Sequence, residues 1–132
     1  MQVERLKTLA RFLNTKVDNK EFDISYWINT TNCGTTCCAL GWACSIPEFQ
    51  AAGLTLWNPL INDSKPVPCY KEKGVVYRDF DAAVKFFDIT DKESLFLFSS
   101  LNYKKSAVSS KTVSRRIYQL IKDYETKTVK KC

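Results

Sequence analysis

The residues best suited to chemistry crowd into one stretch, Cys33-Gly34-Thr35-Thr36-Cys37-Cys38-Ala39-Leu40-Gly41-Trp42-Ala43-Cys44, which holds four of the chain's six cysteines. Four readings compete for it. As a zinc or iron–sulfur site it offers four thiols, with Cys69 the one distant helper. Structural zinc, however, uses paired cysteines carried on turns, and Cys37 and Cys38 on one helix would point about 100° apart. As a nucleophile site, a cysteine near a helix start can have a depressed pKa, but its base would have to be a carboxylate or a lysine. As an anion site, Gly34-Thr35-Thr36 at a helix start would present free backbone N–H groups and two hydroxyls. The fourth reading is structural: cysteine packs as a small buried apolar side chain, and Cys-Gly-Thr caps the helix that follows. The thiols are read in this last way, so neither a metal nor a cofactor is expected.

What is missing narrows the chemistry further. The chain has no histidine, which removes Ser-His-Asp and Cys-His catalysis and the common histidine-bearing zinc sites. It has four glycines and neither phosphate-loop pattern. Asp79, Asp81, Asp88, Asp91 and Glu93 cluster near two expected helix starts, where acids stabilise the helix dipole.

The elements that must position these residues follow from periodicity. Val3, Leu6, Leu9, Ala10 and Leu13 predict a first helix over 3–14. Residues 22–28 alternate and read as a short strand or extended arm, and 29–34 as a turn-like run. Thr35 or Thr36 should cap a central helix, TCCALGWACSI, which has no polar face and is therefore buried. Pro47 starts a short continuation that Gly53 stops. LTLW and GVVYR predict brief, edge-like strands amid Pro59, Pro66, Pro68 and Gly74. Asp79 or Asp81 opens a helix with Phe86 and Phe87, and Thr90 with Glu93 matches a capping box for the next. Val113, Ile117, Leu120, Ile121 and Tyr124 stripe a last helix, with Arg115, Arg116, Gln119 and Lys122 off the stripe. Phe86, Phe87, Phe96 and Phe98 read as core. Trp57, Tyr70 and Tyr77 read as partly exposed aromatics, suited to stacking beside Lys71, Lys73 and Arg78.

The expected fold is a single α+β domain over residues 1–132, mostly helical. About five helices surround the buried central one, with a small β-hairpin and a lysine-rich tail from about 125. With 45% hydrophobic and 13% aromatic residues the chain is too apolar to stay disordered. No apolar run approaches the ~20 residues of a bilayer crossing, and MQVERLKTLARFL mixes charge into every turn. No membrane partner is expected, and the location is read as cytoplasmic with mostly free thiols. Twenty basic residues face 14 acidic ones, a net charge of +6. From Asn102 to Cys132 nine are basic and two acidic, so this segment carries +7 and the rest −1. Such a face attracts phosphates, nucleic acid or an acidic protein.

Phe22-Asp23 with Trp27, Cys33-Gly34-Thr35 with Cys37, and Gly41-Trp42-Ala43 form a pattern. Gly53-Leu54, Phe86-Phe87-Asp88-Ile89, Leu97-Phe98 and Thr112-Val113-Ser114-Arg115-Arg116-Ile117 extend it. Spanning residues 22 to about 120, it resembles a group of small uncharacterised proteins of bacteria and their phages. The specific element is the Cys-Gly-Thr-x-x-Cys-x-x-Gly that begins at Cys33. The resemblance implies a phage-encoded protein of the host cytoplasm and carries no catalytic residue.

The expected function is non-enzymatic capture of an anionic, nucleotide-like ligand. Thr35 and Thr36 would supply the anion site, Trp27 or Tyr70 the stacking, and Arg115 or Arg116 the charge. The alternative is a host-interaction protein whose basic last helix covers an acidic protein or nucleic-acid surface. A small hydrolase using carboxylates or Cys33 stands third.

Overall fold

The computed structural model describes residues 1–31, 34–57, 66–103 and 108–130. Leu6, Leu9, Ala10 and Leu13 are fully buried on one face of α1 (Val3–Thr15), as their helical spacing requires. Their partner is α6 (Ser110–Lys130), which presents Val113, Ile117 and Ile121. Two serines let the backbones come close. Ser110 donates to the Val17 carbonyl at 3.1 Å and Ser114 to that of Ala10 at 2.8 Å. Partners fall along α1 as positions rise along α6, so the helices run antiparallel. α6 continues through Lys130, where a lysine-rich tail was expected from about 125, and residues 122–127 are exposed.

Behind this pair, α4 (Phe80–Phe87) buries Ala82, Ala83, Phe86 and Phe87. α5 (Asp91–Phe98) opens on the expected capping box: Thr90 Oγ1 accepts from the Glu93 N–H at 3.1 Å, and the Glu93 carboxylate accepts from the Thr90 N–H at 2.9 Å. Leu97 and Phe98 join the core, and the buried Ser94 hydroxyl donates to the Phe80 carbonyl at 3.0 Å.

The middle of the chain is a three-stranded antiparallel meander, β3 (Leu54–Trp57), β4 (Val67–Glu72) and β5 (Val75–Arg78), in that order. Lys73 and Gly74 join the last two strands, both at positive φ (50° and 81°), as a two-residue loop of I′ type demands. The central strand was not expected, because Pro66 and Pro68 read as breakers. Pro68 is tolerated for a local reason. Its carbonyl takes the Asp79 N–H at 3.0 Å, so its missing N–H falls on that same side, beyond the last β4–β5 pair, Cys69 with Arg78.

The expected central helix is shorter than its sequence suggested. Only α2 (Ala39–Ala43) is helical, and α3 (Pro47–Ala51) follows from Pro47 and stops before Gly53. Residues 22–28 form no strand; Phe22 makes one parallel bridge to Cys37. The chain beyond them pairs as a hairpin, β1 (Asn29–Thr31) with β2 (Gly34–Thr36). The architecture is α+β and mostly helical, as expected, with six α-helices among the described residues. None of these helices is long and apolar enough to cross a membrane.

Candidate functional site

Thr35 and Thr36 do not start a helix. They lie in β2, opposite Thr30 and Asn29, and the Thr36 hydroxyl reaches the Asn29 carbonyl at 3.4 Å. Threonine is β-branched, so a Thr-rich run suits a pleated strand at least as well as a cap. The N-cap is Cys38, whose Sγ accepts from the Gly41 N–H at 3.4 Å, while the Trp42 N–H binds the Cys38 carbonyl at 2.9 Å. The Cys38 N–H itself goes to the Tyr26 carbonyl at 2.7 Å. The Cys38, Gly41 and Trp42 N–H groups at this helix start are therefore taken by the protein's own atoms. Cys33, on which the nucleophile reading also rested, lies outside the described residues.

α2 is held from both sides. The Trp42 indole donates to the Glu21 carbonyl at 2.8 Å, and Gln50 Nε2 donates to that of Cys44 at 3.0 Å. Gly41 lies against the Trp27 carbonyl so closely that a Cβ there would stand 1.8 Å from its oxygen. This explains a glycine inside a helix, where it otherwise costs about 1 kcal/mol relative to alanine.

Cys37, Cys38, Cys44 and Cys69 are buried free thiols. Among the described residues, no three Cys, Asp or Glu side chains are grouped to hold a metal ion. Burial pushes the Cys37 thiol up to about 11 and that of Cys38 to about 12, from 9.0. Burial raises Cys44 further, with Cys38, Cys37 and Cys69 nearby adding to the effect. These thiols stay protonated at neutral pH and are poor nucleophiles. The sign of the stability effect follows. The unfolded chain releases these protons near pH 9 while the fold retains them. Stability is therefore full below about pH 9 and declines as pH rises toward the folded-state values. Thermal melts should be flat from about pH 7 to 8.5 and fall steadily above pH 9. An unchanged melting temperature at about pH 10 would show that the thiols ionise freely in the fold.

The remaining expected residues are dispersed. Tyr70 is only 7% exposed, stacked on Tyr77 at 6.4 Å with its ring against Phe86 at 5.2 Å, so it offers no face to a ligand. This corrects the expectation of an exposed aromatic, and the cause is the unexpected central strand that carries it inward. Arg115 is exposed. Arg116 is built into the fold: its guanidinium lies 3.7 Å from the Tyr103 ring centre and 4.3 Å from that of Phe96, and donates to the Phe96 carbonyl at 2.8 Å. Phe96 is correspondingly not core but 40% exposed, half covered by that arginine. Burial pushes the Tyr103 hydroxyl up to about 12, with Arg116 pulling the other way.

Trp27 is half-buried, edge-on to Phe80 at 4.9 Å. It lines a cleft of about 210 Å³ between the 24–27 segment and the end of α5, with Leu101 on its rim. Sequence reasoning passed over two features. One is Leu101, on a single 3₁₀ turn (Ser100–Asn102) with no periodicity to flag it. The other is the full outer stripe of α6, of which only Arg115 and Lys122 were singled out. Lys111, Arg115, Tyr118 and Lys122 are all exposed, and at 3.6 residues per turn they share an arc of about 60° over about 17 Å. That spacing was available in the sequence. Comparison with known protein families, curated proteins and solved structures finds no match to this chain.

Proposed function

We propose that this chain is a non-enzymatic binding protein that docks through the outer face of α6 on an acidic protein surface. The observation that carries the reading is the stripe of Lys111, Arg115 and Lys122 around Tyr118. Among the described residues none of these three cations has a hydrogen-bond or ion-pair partner within the chain. A rigid helix presenting three aligned, unpaired cations beside a tyrosine suits an acidic partner, because charge steers the encounter and the ring supplies contact area. Asp123 and Glu125 interrupt the basic run near the end of α6 and Tyr118 is 42% exposed, which favours a protein over a duplex phosphate backbone. Nucleotide capture is less well supported, since Tyr70 is buried and Arg116 is engaged.

The test is a Lys111→Gln, Arg115→Gln, Lys122→Gln variant. Its stability should stay within about 0.5 kcal/mol per site of wild type, because these are surface positions. Wild type should bind a labelled Asp/Glu peptide at low salt, more weakly at physiological salt, and the variant should lose that binding. Equal binding by the variant, or tighter wild-type binding to duplex DNA than to the peptide, would overturn the proposal. Arg116→Gln serves as a contrast. It should cost about 1–2 kcal/mol in a thermal melt by removing two ring contacts and a hydrogen bond.

A further inference from the structure

Three of the four residues of β5 are exposed, whereas none of β3, the opposite edge of the sheet, is. Val75 and Val76 are 48% and 44% exposed. Neighbouring strand residues point to opposite faces, so this end of the hairpin is uncovered on both. Its outer edge is uncovered as well. The Asp79 N–H donates to the Pro68 carbonyl, and bonding alternates along an antiparallel ladder. Val75 and Tyr77 therefore bond across to β4, while Val76 and Arg78 turn their N–H and C=O groups outward. Among the described residues those outward groups have no hydrogen-bond partner. An apolar, unpaired edge is a template for another strand.

The charges at the two ends of β5 indicate which strand that is. Lys73 precedes it and Asp79 follows it, both exposed and, among the described residues, without an ion pair. Asp79 stands at the start of α4 yet makes no side-chain capping bond there. A strand with a cation at one end and an anion at the other complements a second copy of itself laid antiparallel. The outward residues must form the bonded pairs, which leaves three two-fold registers. Arg78 opposite Arg78 sets like charges together. Tyr77 opposite Tyr77 sets Val76 against Arg78 and Val75 against Asp79. Val76 opposite Val76 instead sets Val75 against Tyr77, a β-branched side chain on a ring, and brings Lys73 beside Asp79. Arg78 then falls opposite Gly74, which has no side chain to obstruct it.

We propose that β5 is a homodimerisation edge. A second copy of this chain pairs antiparallel with it, centred on Val76, and joins two three-stranded sheets into one continuous sheet. The interface is a short ladder flanked by two Lys73–Asp79 pairs, so the association is weak and concentration-dependent. It does not depend on the docking role proposed for α6.

Sedimentation of the purified chain over a dilution series tests this. The mean mass should rise from 15.2 kDa toward twice that value as the chain is concentrated. Over the same series, hydrogen exchange at the Val76 and Arg78 amides should slow, while the Tyr77 amide, already bonded to β4, should change little. Val76→Pro removes only an outward N–H and leaves the ladder to β4 intact. It should melt cooperatively and stay monomeric. Lys73→Glu, at an exposed turn residue, places like charges beside Asp79 of the second copy and should weaken the dimer several-fold. Should Val76→Pro fail to fold, Lys73→Glu decides. A wild-type chain that is monomeric at every concentration overturns the proposal and leaves the edge to an extended segment of another protein. A dimer that forms without slowing the Val76 amide, or that either folded variant leaves unchanged, overturns it as well.

Discussion

Alanine at position 41 should abolish the native fold. A Cβ there would stand 1.8 Å from the Trp27 carbonyl oxygen, 2.9 Å from its carbon and 3.0 Å from the Cys37 Cβ. Two of these three atoms are backbone, so no rotamer change relieves the clash. The Trp27 segment is itself held: the Cys38 N–H binds the Tyr26 carbonyl at 2.7 Å and the Trp27 ring abuts Phe80. Ordinary overpacking costs about 1–3 kcal/mol through side-chain adjustment. Displacing backbone should exceed that, against a total stability of about 5–15 kcal/mol. Gly41→Ala should therefore give no cooperative melt by circular dichroism, or one lowered by more than about 3 kcal/mol. Gly74→Ala is the matched control. Its Cβ meets nothing within 4 Å but its φ is +81°, so it should cost only about 1–2 kcal/mol. A Gly41→Ala protein melting like wild type would mean that α2 is not seated on residues 26–27.

Phe86→Ala should be the most damaging truncation in the core. The ring is fully buried, with the rings of Phe49, Phe87 and Tyr70 at 4.8, 5.0 and 5.2 Å. The Arg5 guanidinium lies 4.2 Å from its centre and donates to the Phe86 carbonyl at 2.7 Å. One ring thus joins α1, α3, β4 and α4. Phe→Ala in such a site costs about 3–5 kcal/mol, and the loss of three edge-to-face partners puts this one at the upper end. The melting temperature should fall by roughly 10–20 °C, and the urea midpoint should drop without a change in slope. Phe96→Ala, at a half-covered surface ring, should cost about 1 kcal/mol. Equal losses at the two positions would deny Phe86 its place at the centre.

These two positions also illustrate what sequence could reveal. Phe86 was legible, because an apolar pair recurring with Ala82 and Ala83 fixes the buried face of a helix. The same holds for α1, for the Thr90–Glu93 box and for Pro47, each a local signal with a local cause. Gly41 was legible as a close approach but not as to what approaches, since Trp27 is fourteen residues away. Thr35 and Thr36 misled because threonine serves caps and strands equally, and the choice fell to pairing with residues 29–31. A thiol as N-cap has no common precedent in sequence patterns, so Cys38 gave no warning. Arg115 and Arg116 looked equivalent, yet one residue is about 100° of helix, which sends the first to solvent and the second onto Phe96.

The serine bonds between α6 and α1 bear on how this molecule is born. They join residues 93 and 104 positions apart, so α1 leaves the ribosome well before α6 and waits for it. At usual elongation speeds that wait lasts roughly 5–20 s, during which Leu6, Leu9 and Leu13 have no permanent cover. The nascent chain is open to chaperones and proteases over that interval. Any truncation before residue 110 should leave a product that a cell clears rather than keeps.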